Sequence, residues 1–346
     1  MTATLPWIAS LGPLALAVAG FVGSSATSPA AVRRTLAIAS GASLVALIAA
    51  MATAVLAFGG AFQIDGWAVA GIGFGLYLDR LSTLLMVLVA FVGAVVIRYS
   101  RHYLAGDPGQ GRFVRRLCLT LAAVLLLIAS GNLFQFALAW IATSVGVHGL
   151  LVFYRDRPSA ILAARKKFLV SRLGDVCLLA AMVLLYRHFG SLDYQTILGG
   201  ADALHLAGGL PGSLHAAMAL LVAAALLKSA QFPAHGWLLE VMETPTPVSA
   251  LLHAGIINAG GFLVLRFAGL MTHSAPALDL LLVVGALTAL FGSLAMVTQT
   301  SVKVALAYST VAQMGFMMLE CGLGAWSAAL LHLVAHPLYK AHAFLS

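Results

Sequence analysis

Lys228-Ser229-Ala230-Gln231-Phe232-Pro233-Ala234-His235-Gly236-Trp237 follows directly on the apolar run Leu220-Leu221-Val222-Ala223-Ala224-Ala225-Leu226-Leu227. The run belongs in lipid, yet it ends on a cation and meets a proline soon after. Proline removes a backbone donor and clashes with the preceding turn, so the helix breaks there unless neighbouring groups satisfy the freed carbonyls. Broken helices at membrane depth line cavities and ion paths; an ordinary proline kink is the plainer alternative. A lysine at the bilayer centre costs roughly 2.5–3.5 kcal/mol on insertion scales, which makes Lys228 a functional candidate unless its chain snorkels to the interface.

Outward from this break the whole chain is apolar. Of its 346 residues 62% are hydrophobic and 9% charged, against about a quarter charged in ordinary soluble domains. Runs long enough to cross a bilayer recur, as in Leu36 to Leu56, Leu81 to Ile97, Leu117 to Ile128 and Leu280 to Val297. The pattern predicts an all-α, polytopic transmembrane bundle of about eleven helices. The spans are 5–22, 33–58, 78–98, 113–130, 132–154, 168–188, 213–243 (broken at Pro233), 246–270, 276–298, 303–321 and 325–346. Leu5 to Val22 lacks the basic leader of a signal peptide and reads as a retained first helix. The stretch from Asp156 to Lys167 is too polar to span and is expected as a short surface helix; Gly199 to Gly212 is expected as a solvated loop.

The formal net charge is +8, but the basic residues gather in alternate loops rather than on a nucleic-acid-binding face. Arg33 and Arg34 follow helix 1; Arg98, Arg101, Arg112, Arg115 and Arg116 follow helix 3; Arg155, Arg157, Arg165, Lys166 and Lys167 follow helix 5. The other loops carry Asp65, Asp193 and Asp202. The positive-inside rule then puts the N-terminus outside the cytoplasm. Cys118, Cys177 and Cys321 are scattered through apolar helix with no metal or disulfide spacing. Gly71-x-Gly73-x-Gly75 and the segment Gly255 to Gly261 read as tight turns and close helix contacts.

Further ionisable residues fall where lipid should be. His332, His336 and Lys340 recur every fourth residue, which places them along one helix face, and histidine passes protons near neutrality. His253 is either a proton carrier or a hydrogen-bonded structural histidine. Glu240 and Glu243, just before Pro245, are candidate counter-charges to Lys228 or a solvated helix end; Asp175 pairs with Arg172 one turn earlier, and the two join the possible counter-charges. Lys303 is an interfacial anchor or part of the path.

The stretch Lys228 to Gly255, with Gln231-Phe232-Pro233 and Thr244-Pro245-Thr246-Pro247-Val248-Ser249-Ala250-Leu251-Leu252-His253 inside it, resembles the signature of the proton-translocating antiporter-like subunits. Those include the large membrane-arm subunits of respiratory complex I and of multi-subunit Mrp-type sodium/proton antiporters. Ser301-Val302-Lys303 to Phe316 and His332 to Lys340 look like two further signatures, and the resemblance covers roughly residues 65 to 346. It implies an inverted-repeat fold, N-terminal helices over 1–112, a first repeat over 113–272 and the start of a second over 273–346. It also implies that Lys228 is the central protonatable group, with His253, Lys303, His332, His336 and Lys340 forming a polar axis toward it. The family's helix-5 glutamate falls on Ile141, so Lys228 lacks that partner, and His148, Glu240 or Glu243 are the substitutes at hand.

Trp140-Ile141-Ala142-Thr143-Ser144-Val145-Gly146-Val147-His148 and Ala163-Ala164-Arg165-Lys166-Lys167-Phe168 look like one branch, the membrane subunits of two-component DAB inorganic carbon accumulation complexes. That resemblance implies a bacterial inner-membrane subunit that conducts protons, or sodium ions, and is not itself an enzyme. It implies a large zinc-containing partner similar to β-carbonic anhydrases, with the zinc in that partner and no cofactor or metal in this chain. A complex I subunit or a sodium/proton antiporter subunit is the alternative. Members of the family are longer, so this chain is expected to stop within helix 11, before the second broken helix.

Overall fold

The computed structural model describes residues 7–154, 157–206, 209–241 and 244–346. Where apolar runs are uninterrupted they form helices whose outer faces carry leucine, valine and isoleucine. The first half comprises α1 (Ile8–Val22), α2 (Pro29–Ala57), α3 (Arg80–Tyr103), α4 (Gln110–Ala129), α5 (Leu133–Leu151) and α6 (Pro158–Phe189). Local chemistry sets their starts. Ser28, Asp79 and Asn132 each accept a hydrogen bond from a backbone N–H of the first turn, and Pro29 and Pro158 stand at first helical positions.

The second half is α7 (Tyr194–Leu206), α8 (Gly212–Lys228), α9 (Gly236–Glu240), α10 (Thr246–Ala254), α11 (Ala259–Arg266), α12 (Ala268–Thr272), α13 (Ala275–Val297), α14 (Val302–Gly322) and α15 (Trp326–Leu345). By length and composition, seven helical stretches among the described residues can cross a bilayer, including Thr246–Arg266, and two shorter apolar helices, α1 and α8, accompany them. Leu44, Ile48, Val55, Leu169, Leu173, Val176, Leu287, Leu290 and Leu294 lie exposed on these helices. Bare side chains of this kind on face after face suit lipid, and water would not tolerate them.

The chain is a multi-pass helical membrane protein, and the structure refines its expected elements in four places. A β-hairpin, β1 (Phe62–Val69) with β2 (Ile72–Leu78), joins α2 to α3. Its two turn residues, Ala70 (φ 50°) and Gly71 (φ 75°), take the left-handed conformation that two-residue hairpin turns need, so of the glycines read as tight turns Gly71 is one, whereas Gly73 and Gly75 sit in β2. The expected surface helix over 156–167 is instead the first part of α6 from Pro158 onward, because Ala160, Ala163, Ala164 and Lys167 continue the buried stripe of the span. The expected solvated loop after Gly199 is largely the end of α7, where Ala201 is buried. The eighth span is not continuous: a 3-10 turn at Ile256–Asn258 separates α10 from α11.

Close backbone approach positions the centre. Gly285, Gly292, Gly315 and Gly322 let α13 and α14 touch backbone to backbone, and Gly260 brings α11 against Ala225 and Ser229 at the end of α8. The hairpin is tied to the bundle through Gly131 N–H to Gly75 O (2.9 Å) and Leu192 N–H to Gly71 O (2.9 Å).

Candidate functional site

Helix α8 stops at Lys228, not at the proline itself. Ala230 turns into the left-handed region (φ 51°) and the Phe232–Pro233 peptide is cis. The freed backbone groups find other partners. Gln231 N–H donates to Leu226 O (3.2 Å) and Phe232 N–H to Thr288 Oγ1 of α13 (3.0 Å), while Ser229 Oγ donates to Ile257 O in the interruption between α10 and α11 (2.9 Å). The two broken helices thus meet at Ser229, and irregular backbone at this depth is sheltered by protein as lipid demands.

The Lys228 ammonium points away from that junction, toward α5. Its Nζ donates to Ser144 Oγ (2.8 Å) and to Trp140 O (3.3 Å), and it stands 4.2 Å from the Trp140 ring centroid. Lys228 is 6% exposed. The indole continues the contact, because Trp140 Nε1–H donates to Asp175 Oδ1 (3.0 Å), whose other oxygen lies 2.7 Å from Arg172. Asp175 lies within electrostatic reach of Lys228, Arg172 and Lys167. Lys167, 3% exposed, donates to the backbone carbonyl of the same Ser144 (3.0 Å). One turn of α5 therefore holds two buried amines, and among the described residues one carboxylate, Asp175 of α6, acts on both. A cation on the face of tryptophan with a hydroxyl ligand is stabilised, but far less than a cation with its own carboxylate.

The proposed counter-charges separate. Asp175 and Arg172 join the Lys228 cluster; Glu240 does not, since its carboxylate is bound by Lys166 in a half-exposed pair at the end of α6 nearest Pro158. Glu243 lies outside the described residues. Ile141 is half-buried beside the core and has no polar group to offer Lys228.

A second cluster surrounds the last helix. His253 on α10 is fully buried, shares a hydrogen bond with Thr310 Oγ1 of α14 (2.9 Å) and stacks on Phe344 at 4.7 Å. Lys340 and His336 act on it electrostatically. Lys340, 0% exposed, donates to Leu306 O (2.9 Å). His336 and His332 follow toward the other end of α15, their ring centroids 6.1 Å apart, and His332 Nδ1 lies 3.3 Å from Glu320 Oε2. The two histidines and Glu320, with Ser309 and Gln313, line an open cleft of about 560 Å³. His253 Nε2, Asn258 Oδ1 and Gln231 Oε1 are buried around the helix breaks with no hydrogen-bond partner among the described residues. Lys303 stands apart, exposed in the first turn of α14, in a cleft of about 380 Å³ with Tyr103, Tyr154 and Ser301.

A third charged site is the bidentate pair between Arg266 at the end of α11 and Asp79, the cap of α3 (2.8 and 3.1 Å), with Ser82 bound to the same guanidinium. Tyr77, Tyr194 and Phe262 surround the arginine. Burial pushes the Asp79 carboxyl up, but the charge and hydrogen bonds of Arg266, helped by Ser82, outweigh it and hold it below the ordinary carboxylate range. Among the described residues no three His, Cys, Asp or Glu side chains gather as a metal site. The sequence reading missed Lys167, Glu320, Thr310 and the Asp79–Arg266 pair. Lys167 was within reach, since Lys167, Ser171, Gly174, Asp175 and Leu178 repeat at helical spacing on one buried face.

Comparison with known proteins adds the lineage. Residues 130–346 match the family model described as NADH:quinone oxidoreductase/Mrp antiporter, TM, and residues 67–114 match that of the NADH-ubiquinone oxidoreductase (complex I) chain 5 N-terminus. The chain is 52% identical to the probable inorganic carbon transporter subunit DabB2 of Halothiobacillus neapolitanus over 80% of its own length and 50% of that protein's. It is 39% identical to NADH-quinone oxidoreductase subunit L of Escherichia coli, over 80% of this chain and 45% of that one. The chain spans about half the length of the curated relatives it matches. In three dimensions it is similar to a chain of the Mrp complex from Dietzia sp. DQ12-45-1b, with a TM-score of 0.83 and 28% identity over 99% of this chain and 37% of that one.

Proposed function

The chain belongs to the NADH:quinone oxidoreductase/Mrp antiporter transmembrane family, and from that premise we propose that it conducts protons, with sodium ions as the alternative cargo, to drive inorganic carbon accumulation. The observation that carries this reading is Lys228, a buried amine at a helix break, held by a hydroxyl and an indole instead of a carboxylate. A group so weakly compensated gains and loses its charge readily, as a switching site must. Asp175, itself held by Arg172, sets the field in which it switches.

From Lys228 the charge passes along His253 and Lys340 to His336 and His332, which open on the cleft beside Glu320. Lys303 serves the mouth of the path at the loop end. The chain itself performs no catalysis. A large zinc-containing, carbonic-anhydrase-like partner would convert CO2 to bicarbonate, and cation flow would make that conversion one-way. The similarity to DabB2, higher in identity than that to subunit L, supports this coupling. The location follows as the bacterial inner membrane with the N-terminus outside the cytoplasm, because the arginine-rich ends of α3, α4 and α6 then face the cytoplasm.

A second reading, a proton-pumping complex I subunit or an Mrp-type antiporter subunit, is favoured by the likeness to subunit L and to the Mrp chain. Gentle purification of the full-length protein from native membranes, with identification of bound chains and zinc analysis, separates the two. One large zinc-bearing partner is the expected result. Iron–sulfur and quinone-linked subunits in its place would overturn the carbon-pump reading.

A further inference from the structure

We infer that Lys167 is a second proton carrier, which exchanges one proton with Lys228 across Ser144 and is linked to the surface by His148. The inference rests on the reading of Lys228 as the switching group. Ser144 is where the two amines meet: its hydroxyl accepts from Lys228 Nζ at 2.8 Å and its carbonyl accepts from Lys167 Nζ at 3.0 Å. A snorkelling lysine would send its amine outward, whereas Lys167 is buried and aims its Nζ into α5.

Charge balance decides how the pair works. Helix α6 contributes Lys167, Arg172 and Asp175, α8 contributes Lys228, α5 contributes His148, and α4 contributes Arg116, whose Nη1 donates to Gly149 O at 2.6 Å. Among the described residues the carboxylate acting on the two amines is Asp175, and Arg172 already lies against it. Two ammonium groups sharing one residue away from water repel each other strongly, so the site holds its extra proton on one lysine at a time.

His148 stands one turn beyond Ser144 on the same face of α5. It is half-buried beside the Ala164 backbone, packs edge-on against Phe168 (5.6 Å between centroids) and interacts electrostatically with Lys167. Its Nδ1 has no hydrogen-bond partner among the described residues. The Lys167 ammonium swings from the Ser144 carbonyl to the Ser144 hydroxyl and gives it a proton, and the hydroxyl passes its own proton to the neutral Lys228 amine. Lys167 is left neutral, Lys228 charged and Ser144 unchanged; the His148 imidazolium then reprotonates Lys167 and refills from solvent.

The test uses the full-length protein with its native partners in vesicles, following collapse of an imposed pH gradient with an internal pH dye. Lys228→Met abolishes flux if the underlying reading holds; flux that survives it refutes that reading, and this one with it. Given a dead Lys228→Met, Lys167→Met is expected to slow flux by about a hundredfold, the scale of a lost positioned proton donor. Lys167→Arg keeps a cation in place but cannot release its proton at working pH, so it is expected to be as slow. Wild-type flux in Lys167→Arg would make Lys167 a structural cation and overturn the inference, as would flux in Lys167→Met within twofold of wild type. His148→Gln is expected to slow flux mainly at alkaline pH, where surface protons are scarce.

Discussion

Ser144→Ala tests how much of the Lys228 site depends on a single oxygen. The hydroxyl is the short ligand of the ammonium at 2.8 Å, and without it Lys228 keeps the Trp140 carbonyl at 3.3 Å and the indole face. Loss of a hydrogen bond to a charged group costs about 1.5–3 kcal/mol, and at 1.4 kcal/mol per factor of ten that weakens the loaded state roughly ten- to hundredfold. The helix itself is undisturbed: alanine is the better helix former, and the backbone carbonyl that holds Lys167 remains. Assembly of the complex should be unchanged, while flux measured by dye in sealed vesicles falls at least about tenfold. Ser144→Thr, which returns the hydroxyl, should recover most of it. The reasoning is refuted if Ser144→Ala conducts at the wild-type rate while Lys228→Met is dead, because Lys228 would then work without its best ligand.

Asp175 and Glu240 should behave oppositely: Asp175→Asn should reduce flux about tenfold or more, whereas Glu240→Gln, which breaks a half-exposed pair worth about 0–1 kcal/mol, should leave flux within about twofold in the same assay. Gly260→Ala should slow transport and lower expression, because a Cβ there collides with the Ala225 carbonyl and the Ser229 hydroxyl, and backbone cannot yield cheaply, at about 1–3 kcal/mol. Asp79→Asn strands the buried Arg266 and should cost about 3–5 kcal/mol, read as a lower thermal midpoint in detergent. Because the Asp79 carboxyl is held below its ordinary 3.8, its contribution is complete above that pH and is lost as pH falls through the lowered value, so wild type and Asp79→Asn should converge only in strong acid.

The helices were legible because each apolar run between polar loops is long enough to span, and the break at Pro233 because a proline beside a buried lysine has few other readings. What stayed hidden had a shared physical cause: its signal was shorter than the pattern surrounding it. In β2 the residues Ile72, Phe74, Leu76 and Leu78 alternate with Gly73, Gly75 and Tyr77, a period of two that the glycines obscured as turn formers. Lys167 was counted with Arg165 and Lys166 as a loop charge, and only the helical repeat running back from Asp175 through Ser171 turns it inward. Asp79 and Arg266 are 187 residues apart in sequence, and no local pattern reports a pair at that distance. Glu240 failed as a partner for Lys228 because proximity along the chain is not proximity once the helix has broken between them.

Two buried cations illustrate what separates a charge kept for the fold from one that the proposed function assigns to transport. Arg266 has a bidentate carboxylate, a hydroxyl and three aromatic rings around it, so its fixed charge ties α11 to the start of α3 and has no reason to change. Arginine also cannot lose its proton at working pH, which suits a permanent bolt. Lys228 has a hydroxyl, a distant carbonyl and a ring, and Asp175, the carboxylate that acts on it among the described residues, is already against Arg172. Replacing a buried ion group by an apolar one is often neutral or stabilising, so a leucine at position 228 would serve the bundle at least as well. The incomplete compensation of Lys228 and Lys167 is costly to the fold and makes sense where the charge is meant to leave.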